Sequence, residues 1–301
     1  MSSAVVTTLV NAYQQVFIYM GISILSLGLI GGVLNTIVFL SLRTFRESSC
    51  AFYLIVMSIL NIGQLLSGLL TRILISGFNT DLTSLSLFYC KFRLYFYQAS
   101  ALSSITCICL ATIDQYFATC TRPHWQQWSN IRLARRLLIS LISVVIIEQI
   151  PCLIYYDQKV STSSNRTMCI STSTKFDQFN SFFNTLTLGN FIPLVITFSF
   201  GILTCRNVQQ LSYRTVPLVR RELDKQLSTM VLVQIFYMQF TNIIQLIVYM
   251  IAVYGNIQDS TIRAQINLAY AFALCLSYSF FAVSHRLFSR SYLKNCLFFP
   301  F

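Results

Sequence analysis

Apolar stretches of about 20 residues or more recur along the chain, and no other feature restricts its fold as strongly. Such a run can cross a bilayer as a helix, because only intrasegment hydrogen bonding satisfies the backbone in hydrocarbon. Seven segments qualify, at about 16–42, 51–76, 87–119, 133–155, 181–205, 227–254 and 262–284. Arg263 and Gln265 delay the apolar start of the last one. Short polar connections make neighbouring helices antiparallel, and an odd count puts the two ends of the chain on opposite sides. The expectation is an all-α membrane protein, a single seven-transmembrane helix bundle over 1–301.

Composition agrees. Charged residues make up 10% and hydrophobic residues 55%, whereas a soluble domain usually carries about 25% charged residues to coat its surface. The net charge of +12 would suggest nucleic acid in a soluble protein, but no nucleic-acid-binding signature accompanies it, and no nucleic-acid partner is expected. Basic residues gather in the cytoplasmic connections of membrane proteins. With the N-terminus outside, Arg43, Arg46, Arg122, Arg132, Arg135, Arg136, Arg206, Arg214, Arg220, Arg221, Lys225, Arg286, Arg290 and Lys294 lie inside. Arg72, Lys91, Arg93, Lys159, Arg166, Lys175 and Arg263, half as many, lie outside. The rule therefore selects N-terminus extracellular and C-terminus cytoplasmic. No Lys or Arg precedes Arg43, so the first segment reads as a retained signal-anchor helix.

The sequon Asn165-Arg166-Thr167 then falls outside, where Asn165 is a glycosylation acceptor. In the same connection, Thr167, Cys169 and Ser171 alternate with Met168, Ile170 and Thr172 as one strand of a hairpin would. After the seventh segment, Phe288, Tyr292, Leu293, Cys296, Leu297 and Phe298 interleave with Arg286, Arg290 and Lys294. That pattern predicts a short amphipathic helix over about 285–298 on the inner membrane surface, with Cys296 as a palmitoylation candidate or simply a free thiol.

Asn35, Asn61, Gln64, Ser103, Ser104 and Ser277 place polar groups within apolar segments. A polar group in hydrocarbon is costly unless it faces a partner, so these are expected to converge in the bundle interior. Cys107, Cys109, Cys152, Cys205 and Cys275 lie in or beside apolar runs and read as small packing residues. His124 and His285 are the only histidines and neither stands at ligand spacing from a cysteine, so neither a metal nor another cofactor is expected.

On these residues the layout resembles the rhodopsin-like G-protein-coupled receptors, in particular a divergent invertebrate peptide-receptor-like branch. Asn35 matches that family's first-span asparagine, and Cys90 and Cys169 match its disulfide pair. Asp114-Gln115-Tyr116, with Pro123 beyond it, resembles the family's Asp-Arg-Tyr motif, with glutamine in place of arginine. Glutamine can hydrogen-bond but cannot form an ion pair, which weakens any resting lock to Glu222 or Asp224. Asn61 stands where the family usually has an aspartate, which implies weak or absent sodium binding. The sixth span has no proline, and Ser277-Tyr278-Ser279-Phe280-Phe281 replaces the family's Asn-Pro-x-x-Tyr. Pro151 and Pro193 do fit the family's pattern, and each favours a local bulge.

The resemblance implies a plasma-membrane receptor that binds an extracellular ligand, a peptide or small amphipathic molecule, and activates a heterotrimeric G protein. The seventh span holds no lysine for a retinal Schiff base, and Tyr97 occupies the site where amine receptors place an aspartate. Tyr95, Phe96, Tyr97, Gln98, Tyr155, Tyr156, Phe179, Tyr249, Tyr254 and Tyr270 crowd the outer ends. They offer stacking and hydrogen bonds to a ligand, or form an interfacial aromatic belt; Tyr97 and Gln98 are the leading ligand candidates. On the inner face, Arg135, Arg136, Arg220 and Arg221 suit a G protein, anionic membrane lipid, or both.

Two other classes stay open. A secondary transporter would use a deep acid such as Glu148, and a non-signalling receptor-like scaffold would explain Gln115 and the missing prolines. No intramembrane protease motif is present, and an enzyme is not expected.

Overall fold

The computed structural model describes residues 2–41, 48–160, 167–211, 218–255 and 257–296, with side chains over 4–41, 48–159, 167–209, 227–255 and 257–280. Among these residues, six helices are long and apolar enough to cross a membrane: α1 (Ala4–Ser41), α2 (Ser49–Gly77), α3 (Leu87–Thr119), α4 (Ile131–Tyr155), α5 (Thr174–Gln209) and α6 (Leu218–Tyr254), the last over Leu227–Tyr254. A further long helix, α7 (Ser260–Cys296), packs along α6 and α1 and touches α2 only locally. The described residues thus supply six of the expected seven spans by length and hydropathy; α7 opens with the polar Arg263, Gln265 and Asn267, and its side chains are described only as far as Phe280.

Two expectations are corrected. The first helix begins well before position 16, at Ser2, although Thr7, Thr8, Asn11, Gln14 and Gln15 are polar. Tertiary contact sustains it: Tyr13 donates its hydroxyl to Ser76 of α2 (3.1 Å) and stacks edge-on against buried Phe17. The separate surface helix expected at 285–298 is instead a direct continuation of α7 as far as Cys296. No proline or glycine interrupts the sequence there, so helix propagation meets no barrier.

Helix starts are written locally. Ser48, Ser86, Asn130 and Ser173 each accept a hydrogen bond from a backbone N–H in the first turn that follows, which satisfies donors no helical carbonyl can reach. Asn130, at 2.9 Å from the Arg132 amide, has the shortest such bond. Asn130→Ala is expected to lower stability by about 1 kcal/mol, read as an earlier melting transition in detergent. At the far end of α2, Asn79 adopts φ 55°, a left-handed conformation that asparagine tolerates.

Helix irregularities sit beside the two prolines. In α4 the helix tightens at Gln149, just before Pro151. In α5 a π-helical stretch, Asn180–Phe191, ends just before Pro193. Shorter π turns occur at Phe17–Gly21, Leu65–Leu69 and Ile73–Gly77.

The third helix is the axle, touching α2, α4, α5 and α6. In the apolar windows of α2 and α3, 56% of residues are buried against 17% in α4, so α4 presents most of its apolar side chains outward. Ile139, Val144 and Ile147 of α4, Phe198 of α5 and Phe236 of α6 are exposed, a surface that suits lipid and not water. The chain is a multi-pass helical membrane protein.

A two-stranded antiparallel hairpin, β1 (Tyr156–Val160) and β2 (Thr167–Ser171), joins α4 to α5 and pairs Gln158 with Cys169. Among the described residues, two apolar clusters fill the bundle. One, around Leu65, Leu69, Leu274 and Phe17, lies toward the hairpin end; the other, around Leu54, Ile108, Leu227 and Met238, lies toward the end that carries Asp114.

Candidate functional site

A cavity of about 290 Å³ opens at the hairpin end, lined by α2, α3, α5, α6, α7 and Tyr156 of β1. Covalent and hydrogen bonds hold the hairpin beside it. Cys90, in the first turn of α3, is disulfide-bonded to Cys169 with the Cα atoms 5.7 Å apart. The Gln158 side-chain amide donates to the Thr83 carbonyl (2.6 Å) in the turn before α3, and the Thr172 amide donates to the Tyr155 carbonyl (2.8 Å). Tyr156 packs edge-on against Phe176, itself stacked on Tyr155 at 4.9 Å. Burial, with contributions from Cys152, Asp177 and Tyr249, pushes the Tyr156 hydroxyl up to about 12, so it remains a neutral hydrogen-bonding group near pH 7.

Tyr97 and Gln98 both line the cavity. The Gln98 amide donates to Asn180 Oδ1 (3.1 Å), which also accepts from the Asn184 amide (3.0 Å). The π-helical stretch explains this grouping. Its i→i+5 hydrogen bonding widens the turn, so Asn180, Asn184, Thr185, Gly189 and Asn190 all reach one cavity wall. Thr185 donates to the Asn180 carbonyl (3.2 Å) and Asn190 to the Thr185 carbonyl (2.7 Å), each five residues back.

Of the outer aromatic residues, Tyr97, Tyr156, Tyr249 and Tyr270 border the cavity. Tyr95, Phe96, Tyr155, Phe179 and Tyr254 do not; Phe96 extends a stacked, outward stripe with Phe92 and Phe88. Sequence reasoning did not place Arg72, Asn184, Asn190, Asn242 or Gln245 at the site. Their amide and cationic groups within apolar runs were the available signal.

The interior polar groups do not meet at one centre. They form separate bridges: Asn35 donates to Ser58 (2.7 Å), Ser104 donates to Asn61 Oδ1, and Ser277 donates to Asn242 Oδ1 (3.3 Å). Each ties two helices, α1 to α2, α2 to α3, and α7 to α6. Glu148 accepts from neighbouring Gln149 and also contacts Asn184, but it does not line the cavity.

At the opposite end, Asp114 is buried rather than a solvated carboxylate, and both its oxygens accept from the Ser49 hydroxyl at 2.7 and 2.8 Å. Gln115 is also buried, and its Oε1 accepts from Ser228 of α6 at 2.6 Å. Tyr116 packs edge-on against Phe200 of α5 and Trp125. The motif therefore joins α3 to α2, α5 and α6. Arg135 lies 5.9 Å above the Phe52 ring, and Arg136 is exposed. Asn165 and the side chains of Arg220, Arg221 and Cys296 lie outside the described residues. Neither a protein-family model nor a curated protein matches the chain.

Proposed function

We propose that the chain is a rhodopsin-like G-protein-coupled receptor, with seven spans and its N-terminus outside, that binds an extracellular ligand in the hairpin-end cavity. A heterotrimeric G protein would meet the opposite end, near Asp114, Gln115 and Tyr116. The observation that carries this reading is the double engagement of α3. Its Tyr97 and Gln98 line the cavity, and its Gln115 is hydrogen-bonded to α6 at the other end. A ligand that draws α3 and α6 into a new arrangement can thereby bias the end that a G protein would touch, provided it binds that arrangement more tightly.

The Gln115–Ser228 bond takes the place of an ionic lock in this reading. A neutral hydrogen bond contributes about 1 kcal/mol, which corresponds to roughly a fivefold shift between two states. Ser228→Ala is therefore expected to raise ligand-independent nucleotide exchange about fivefold in reconstituted membranes, with Gln115→Ala giving the same change and the double variant no more. Exchange that no ligand and neither variant alters would favour a non-signalling scaffold. A ligand screen against a promiscuous G-protein reporter tests the reading directly.

A further inference from the structure

Among the described residues that line the cavity, Arg72 is the one that is formally charged. It lies in the last turns of α2, within electrostatic reach of Tyr97, Tyr270, Tyr278 and Arg93, and among the described residues no acid shares this surrounding. Arg93 is engaged in the structure, donating Nε–H to the Ser67 carbonyl at 3.1 Å, an oxygen within the π turn Leu65–Leu69. Arg72 makes no hydrogen bond or ion pair to another described residue. Arg72 is part-buried; a guanidinium stays cationic in proteins, and a cation partly withdrawn from bulk water without a counter-charge is left undercompensated.

Two further groups converge on the same space. Gln64 is 4% exposed and Asn184 is 2% exposed, both line the cavity, and Oε1 of Gln64 and Oδ1 of Asn184 have no hydrogen-bond partner among the described residues. Asn184 is oriented by the bond from its Nδ2 to Asn180, which leaves its oxygen as an acceptor. Buried acceptors without donors are rare in finished structures. The wall therefore offers one forked cation, two acceptors and several phenol rings.

From this we infer that the cavity binds an amphipathic carboxylate: the anion on Arg72, an N–H or O–H donor beside it on Gln64 or Asn184, and an apolar or aromatic body among Tyr97, Tyr249 and Tyr270. The guanidinium fork matches a carboxylate with two parallel hydrogen bonds. A cavity of about 290 Å³ lies at the small end of ligand sites and admits a free acylamino acid or the C-terminal residue of a peptide. The inference rests on the receptor reading only for the side from which the ligand enters.

The test uses the full chain in detergent, without G protein. N-acetylphenylalanine is compared with its neutral primary amide by thermal stabilisation and competition binding. The acid is expected to stabilise the wild type and the amide to do so weakly. Arg72→Gln is expected to weaken acid binding about ten- to a hundredfold and to erase the preference for acid over amide, while Arg72→Lys, a point charge without the fork, falls between. A blocked leucine–phenylalanine dipeptide, as free acid and as amide, separates the two sources: a tighter dipeptide acid indicates a peptide C-terminus, and a tighter acylamino acid indicates a free small molecule. Equal stabilisation by acid and amide, no stabilisation by any acid at millimolar concentration, or an unchanged preference in Arg72→Gln would each overturn the site. If Arg72→Gln does not fold, the acid–amide comparison on the wild type and Arg72→Lys decides. Acid binding with no nucleotide exchange under any ligand would break the receptor reading and leave this site standing; exchange driven only by neutral or cationic ligands would do the reverse.

Discussion

Cys90→Ser and Cys169→Ser are each expected to remove most correctly folded protein, and the double variant is expected to be no worse than either. The disulfide joins positions 79 residues apart in sequence, and a cross-link closing a loop of that size is worth about 4 kcal/mol in the chain-entropy model. In a bilayer that figure is an upper bound, because the helices between the cysteines stay helical even when the bundle loosens. The loss should therefore concentrate at the hairpin. Without the bond, β2 depends on its ladder with β1, and the hairpin as a whole on the contacts of Gln158 with Thr83 and of Tyr156 with Phe176. Thermal melting of purified protein, with and without reductant, reads this. Reductant should lower the wild-type transition to that of the variants and leave the variants unmoved. Losses that add in the double variant would mean the two cysteines act separately.

The second large effect concerns Gly68 in the α2 π turn. A Cβ built there falls 2.7 Å from two ring carbons of Tyr97 and closer still to the Tyr278 hydroxyl. Tyr278 is buried and the part-buried Tyr97 ring borders the cavity, so a methyl at position 68 must push Tyr97 toward the cavity and displace the Tyr278 hydroxyl. Overpacking of this kind costs about 1–3 kcal/mol. Gly68→Ala is expected to lower the melting transition and to weaken cavity binding together. Combining it with Tyr97→Leu, which removes the struck ring, should recover part of the stability, so that the pair is less destabilised than the sum of the single changes. A fully stable Gly68→Ala would show that α2 does not approach those rings so closely.

The two predictions draw on different kinds of information. Cys90 and Cys169 could be paired from their places in a layout that resembles a known family. Gly68 could not be singled out, since nothing in a run of Leu65, Leu66, Ser67 and Leu69 says which face meets an aromatic ring. Asp114 repeats the lesson. Its position at the end of an apolar helix is compatible with solvation, yet Ser49, distant in sequence, holds both its oxygens in a buried setting. Gln115 was legible as a residue that could hydrogen-bond, and only the packing of α3 against α6 supplied Ser228 as its partner.

Hydropathy and local hydrogen bonding were written in the chain itself. Each apolar run must become a helix because hydrocarbon offers the backbone no other partner, and Ser48, Ser86, Asn130 and Ser173 mark helix starts by bonding to their own neighbours. The arrangement of those helices belonged to tertiary structure alone. A period of 3.6 residues scatters Asn180, Asn184, Thr185, Gly189 and Asn190 around α5, and the π winding brings them to one wall beside Gln98 and Arg72. That wall joins side chains from five helices and a strand, so the energy that fixes it comes from contacts between segments far apart in sequence.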